Sequence, residues 1–220
     1  MVNALAKVIA ELDSKARIFE AATAEFADRG FEAAGVDRIA AKAHVNKAMI
    51  YYHFGSKLDL YLEVLRDMLR AVAGHVRAIA DGPGTPEEKL DAWIATIVKE
   101  ASQRPWFPPI MLRELAAGIP HFDPDTVALM GAVITGVTDI IAQGRRDDSF
   151  SDADPLLTHL SIMGPILLFV TRERLIERRS KSVLAATPGA EVITAPRTQE
   201  QFIRHMQHAV RGLLRKDGAP

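Results

Sequence analysis

No cysteine occurs in the 220 residues, which excludes a disulfide scaffold and any thiolate metal site. Neither sign of charge dominates. Lys and Arg total 27 against 28 Asp and Glu, a net charge of −1, so the chain as a whole is not a polycation built to coat nucleic acid. No apolar run is expected to reach membrane-spanning length, because Pro, Arg or Glu interrupts each one, and no membrane partner is expected. The first residues, MVNALAKVIAELDSKARIF, lack the charged start, long apolar stretch and cleavage site of a signal peptide, so the expected location is the cytoplasm. No segment alternates apolar and polar residues as a half-buried strand does, and no internal repeat is visible, which leaves an all-α fold. A glycine-rich phosphate loop, G-x-S-x-G and H-E-x-x-H are missing too. The expectation is therefore no enzyme, no cofactor and no resident metal.

What is present is an ordinary globular composition, 48% hydrophobic and 25% charged, long enough for one core or two small ones. The most informative stretch is VDRIAAKAHVNKAMIYYHFGSK, Val36 to Lys57. Val36, Ile39, Ala40 and Ala43 recur at helical spacing, and the pattern then breaks at His44-Val45-Asn46. Asn46 is a natural N-cap for a second helix carrying Lys47, Tyr51, Tyr52 and His53. Two short helices about a tight turn, the second rich in donors to phosphates and base edges, describe a helix-turn-helix DNA reader. The stretch holds four cations, Arg38, Lys42, Lys47 and Lys57, against one carboxylate, Asp37, which predicts a small basic patch on a neutral body. Residues near the N-terminus of the second helix reach base edges, so Asn46, Lys47, Ala48 and Met49 are the candidates for readout. Tyr51 is placed against a base or a phosphate, and Ile50 and Phe54 face inward with Val45.

These residues and their surroundings resemble the tetracycline-repressor (TetR) family of bacterial transcriptional regulators. The likeness covers roughly residues 13 to 62, about a quarter of the chain. It rests on Phe26-Ala27-Asp28-Arg29-Gly30-Phe31, on Val36-x-x-Ile39-Ala40, and on Val45-Asn46-Lys47-x-x-Ile50-Tyr51-Tyr52-His53-Phe54-x-x-Lys57-x-x-Leu60. The resemblance implies that Tyr52, His53 and Lys57 anchor phosphates. It also implies an all-helical homodimer whose C-terminal domain binds a small-molecule inducer and which represses from double-stranded operator DNA. Two positions depart from the family pattern: Gly35 stands where Thr is common, removing a phosphate contact, and His44 where Gly is common in the turn.

Elsewhere the periodicity predicts a first helix from about 13 to 29 closed by Gly30. A long helix opens at Ser56 with Asp59 and buries Leu58, Tyr61, Leu65, Met68, Val72, Val76 and Ile79. Thr85-Pro86-Glu87-Glu88 starts a helix to about Gln103. A short helix is expected from Ile110 to Ala117, another from Asp125 to Gln143 ended by Gly144, and one from Ser151-x-x-Asp154 to about Arg179, kinked at Pro165. Residues 183–198 read as a flexible loop. Thr198-x-x-Gln201 caps a last helix with Phe202, Met206, Val210 and Leu213 on one face. The expected division is 1–60 for DNA binding and 61–220 for ligand binding and dimerisation.

The segment from Leu156 to Val170 is apolar all round, more than one buried face needs. With the Phe202–Leu213 stripe it predicts a homodimer joined through the last two helices. Trp93, Trp106, Phe107, Met111, Leu115, Met130, Ile134 and Met163 are candidates to line an apolar cavity, with Arg113, Glu114, His121 or His159 as polar contacts. The proline-broken stretch Arg104 to Pro109 leaves irregular space beside them. Two rival readings stand beside the regulator. A metal-dependent enzyme would use His121-x-Asp123-x-Asp125 or the His205-x-x-His208 pair; a helical protein-protein adaptor would leave Lys47, Tyr51, Tyr52, His53 and Lys57 without a role.

Overall fold

A computed structural model describes residues 2–178, 188–189, 191–192 and 195–215. Among these, nine helices follow one another with no strand. They are α1 (Val2–Ala33), α2 (Val36–Ala43), α3 (Lys47–Phe54), α4 (Lys57–Asp81), α5 (Pro86–Gln103), α6 (Phe107–Ala116), α7 (Pro124–Arg146), α8 (Pro155–Arg178) and α9 (Gln199–Leu214). The expected loop at 183–198 lies largely outside the described residues.

Local capping chemistry sets most helix starts. Asn46 accepts from the Ala48 N–H, and Ser56 accepts from that of Asp59. Thr85 with Glu88, and Thr198 with Gln201, form reciprocal capping boxes. At α7 the cap is Asp123, whose carboxylate accepts from the Thr126 N–H. At α8 it is Asp154, accepting from the Leu157 N–H at 2.8 Å, rather than Ser151.

Several expected boundaries move. The first helix begins well before residue 13 and passes Gly30 through a kink, where φ is +75° and ψ 172°. Only glycine adopts that conformation without strain. Gly144 does not end α7. It lies inside the helix, where Phe150 packs so closely that an added Cβ would stand 2.2 Å from its ring. A glycine chosen for space reads in sequence like one chosen to stop a helix. The last apolar helix continues across Pro165.

One connected core unites both parts of the chain. Ile18, Ala22, Phe26, Ile39 and Ile50 bury the N-terminal three helices. The stripe of α4, with Tyr61, Leu65, Met68, Val72 and Val76, continues that core into the C-terminal bundle. Leu58, expected in this stripe, is instead exposed, and Leu62 is buried. On α9 the buried face is Ile203, Met206, Val210 and Leu214, whereas Leu213 is 52% exposed. Arg211 pairs there with Asp91, and Gln207 donates to the Asp91 carbonyl at 3.1 Å.

By length and apolar composition α7 and residues 155–172 of α8 would both suffice to cross a membrane, contrary to the expectation from sequence. Both pack in the bundle, α7 along α4 and α5, and α8 against α5, α6 and α7.

Candidate nucleic-acid interface and ligand cavity

The turn between α2 and α3 is a Schellman motif: His44 N–H reaches the Ala41 carbonyl at 3.2 Å, and Val45 N–H reaches Ala40 at 3.1 Å. His44 takes the left-handed position with φ +53°. Ile50 is fully buried, and half-buried Val45 and Phe54 complete the inward face of α3. That seating turns Lys47, Ala48, Tyr51 and Tyr52 outward, with Tyr52 68% exposed. Met49 is half-buried against the core, and Asn46 uses its side-chain oxygen as the helix cap.

The basic patch is organised differently from its sequence count. Glu25 on α1 is buried, accepts from Arg38 at 2.5 Å and Lys42 at 2.8 Å, and lies 3.3 Å from Arg29. Burial raises its pKa, but the Lys42 and Arg38 hydrogen bonds overcome that and bring it down to about 2. Two of the four cations counted in the expected basic patch thus bolt α2 to α1. Lys47 pairs with Asp37 at 2.9 Å, which raises its pKa. Lys57 lies over the Phe31 ring at 4.4 Å and donates to the Glu32 carbonyl at 3.4 Å. His53 is half-buried, its Nε2 within 2.8 Å of the Ser14 hydroxyl, so it also joins α3 to α1. Sequence reasoning missed Glu25 and Ser14, because nothing local marks a residue paired 13 to 39 positions away.

A second feature is an apolar cavity of about 210 Å³ in the C-terminal bundle. Of the candidate residues, Phe107, Met111, Leu115, Met130, Ile134, His159 and Met163 line it. The structure adds Met68, Leu69 and Val72 of α4, and Leu156, Leu160, Ile166 and Leu167 of α8. Among the described residues His159 is the sole polar one of the lining.

Five candidates, Trp93, Trp106, Arg113, Glu114 and His121, stand elsewhere. Trp93 is fully buried behind the cavity, edge-on to His159 at 5.9 Å between ring centroids. Trp106 is half-buried at the start of α6 against Phe107. Arg113 projects from the opposite side of α6 and donates to the carbonyls of Ala27 at 2.7 Å and of Phe26 and Asp28 at 3.3 Å, closing the end of the straight part of α1. His121 contacts Phe31 at 4.3 Å and Tyr61 at 5.5 Å between centroids, with its Nδ1 2.8 Å from buried Glu114. Glu114 also accepts from the Tyr61 hydroxyl at 2.7 Å. Burial and this carboxylate push the Tyr61 phenol well above its usual range. Arg113, Glu114 and His121 thus form a junction with the N-terminal helices, not polar cavity contacts. A helical wheel cannot show which neighbour meets each face of α6.

The metal clusters dissolve in the same way. Asp123 caps α7 and pairs with Arg66, and His121 is engaged with Glu114. His205 and His208 are exposed on α9. Among the described residues no group of three or more His, Asp or Glu is placed to hold a metal ion.

The chain is thus a helix-turn-helix module carried on an all-α bundle. The family of bacterial regulatory proteins named for tetR matches residues 18–64, the stretch that contains α2 and α3. It is 39% identical over 92 residues to the HTH-type transcriptional repressor SCO4008 of Streptomyces coelicolor, covering 42% of this chain and 44% of that one. It is 40% identical over 73 residues to the repressor KstR2 of Mycolicibacterium smegmatis, covering 33% of this chain and 36% of the relative. The chain thus spans less than half the length of these curated relatives. The whole architecture resembles the solved ketosteroid transcriptional regulator KstR2 of Mycobacterium tuberculosis, with TM-score 0.69 and 23% identity over 91% of this chain and 94% of that one. It also resembles the fatty acid degradation regulator FadR of Bacillus halodurans, with TM-score 0.62 and 19% identity over 91% and 100%. At these identities the likeness establishes the fold.

Proposed function

We propose that the chain is a cytoplasmic, homodimeric transcriptional regulator, without enzymatic activity, that represses from operator DNA and is released by a small, largely apolar molecule. The observation that carries this reading is the two-sided placement of α6. One side, with Phe107, Met111 and Leu115, walls the cavity; the other, with Arg113 and Glu114, grips α1 and α4 beneath the DNA-reading helix. A molecule that fills the cavity therefore presses on the element that seats α3.

On this reading Lys47, Ala48, Met49 and Tyr51 present to base edges, and Tyr52 and Lys57 present to phosphates. Asn46 caps α3 with its side-chain oxygen and offers its amide N–H groups to a base edge, while His53 holds α3 to α1. The outward leucines of α8, Leu157 and Leu168 with Leu156 and Leu160 beside them, supply the apolar surface for a second copy. Dimerisation suits a reader whose single half-site contact is weak.

The test is a DNase footprint on the DNA flanking the chain's own gene, run beside Tyr52→Ala. A two-fold-symmetric protected site lost in the variant is the expected result. If selection from random DNA at low salt also yields no bound sequence, the reading fails and a protein adaptor takes its place.

A further inference from the structure

We infer that the cavity takes an uncharged, mostly apolar molecule about the size of one ring with a short side chain, whose single hydroxyl or carbonyl group hydrogen-bonds to His159. The inference rests on the regulator reading above and specifies its effector. Among the described residues, sixteen of the lining are aliphatic, methionine or phenylalanine, and none carries a charge or a hydroxyl. Such a wall offers nothing to a carboxylate, phosphate or ammonium, and burying an uncompensated charge is strongly disfavoured.

His159 breaks the pattern. It is only 8% exposed, and its Nδ1 has no hydrogen-bond partner among the described residues. Nδ1 is itself shielded, but the ring stands in the wall as the one polar side chain among the described lining residues, and a lone polar group in an apolar wall is the place where a ligand's polar group is held. Burial also lowers the imidazole's pKa to about 4, so at neutral pH the ring is uncharged. A neutral imidazole presents one donor and one acceptor nitrogen, which matches a hydroxyl or a carbonyl. It supplies no positive charge to an acid. The volume completes the specification. About 210 Å³ is the space of some seven water molecules at roughly 30 Å³ each, and falls below the roughly 300–1,000 Å³ of drug-sized sites.

Three probes of one shape separate the contributions: propylbenzene, 4-propylphenol and 4-propylbenzoate. Each is titrated into the full-length protein without DNA at neutral pH and followed by calorimetry. The expected result is that 4-propylphenol binds about tenfold more tightly than either of the others, the scale of one net hydrogen bond. In His159→Leu, and again in His159→Phe, which keeps an aromatic ring there, that advantage over propylbenzene should disappear while propylbenzene itself changes less than about threefold. Equal or tighter binding of 4-propylbenzoate overturns the inference. So does an undiminished advantage of the phenol in a folded His159 variant, or no binding of any of the three. Because binding is read without DNA, failure here is distinct from loss of the footprint, which would count against the regulator reading itself.

Discussion

The Tyr61 hydroxyl on α4 donates to the Glu114 carboxylate on α6 across 2.7 Å, with both side chains buried. The same Glu114 oxygen, Oε1, also meets His121 Nδ1 at 2.8 Å, and the neighbouring Arg113 caps the carbonyl end of α1. The two parts of the chain are therefore joined by directed polar contacts inside an apolar surround, an arrangement that fixes their relative seating.

Removing the Tyr61 hydroxyl tests this joint. Tyr61→Phe leaves a buried carboxylate short of a donor and should lower stability by about 1–3 kcal/mol in urea denaturation. Glu114→Gln, which keeps an acceptor, should cost less. If both variants match the parent in stability and in operator affinity, the joint is structural decoration.

The Glu25 cluster gives a pH dependence whose sign follows from its lowered pKa. The carboxyl ordinarily titrates at 4.5 and sits at about 2 in the fold. Its contribution is complete above about 4.5 and is lost as pH falls from there toward 2, because the unfolded chain takes up the proton first. Chemical denaturation from pH 6 down to 3 should show this loss, and Glu25→Gln should flatten the slope while destabilising the protein by about 3 kcal/mol at pH 7. A variant with an unchanged acid slope would assign the effect to other carboxylates.

His44 occupies a left-handed position that favours glycine. His44→Gly should raise stability by about 0.5–1 kcal/mol, since relief of steric strain outweighs the greater freedom of the unfolded chain. A thermal melt decides it, and a fall in Tm would mean the imidazole has a stabilising role in the turn.

The outward face of α8 can be charged without touching the core. Leu157 and Leu168 are 63% and 64% exposed, so Leu157→Glu with Leu168→Glu should leave helix content unchanged and shift sedimentation from dimer to monomer. A wild-type chain that sediments as a monomer at micromolar concentration removes this interface from the reading.

Much of the fold was legible because its signals are local. Asn46, Ser56, Thr85 and Thr198 each cap the helix that begins at the next residue, since a cap needs only a donor two or three residues away. The outward aspect of Lys47, Ala48 and Tyr52 follows from burying Ile50 one helical turn away. Gly144 and Leu213 were misread because period alone fixes a face only to within a residue or so, and cannot distinguish a glycine that ends a helix from one that makes room for Phe150.

By itself, then, the sequence determined the helical class, the order of helices and the presence of a helix-turn-helix, all consequences of spacing along one chain. The tertiary structure decided which cations remain for a partner, because Glu25 draws Arg38 and Lys42 from 13 and 17 residues away. It also decided that Arg113 and His121 serve the junction while His159 alone marks the cavity. Those assignments depend on which helix packs against which, a choice made by the whole set of buried faces at once rather than by any segment's own pattern.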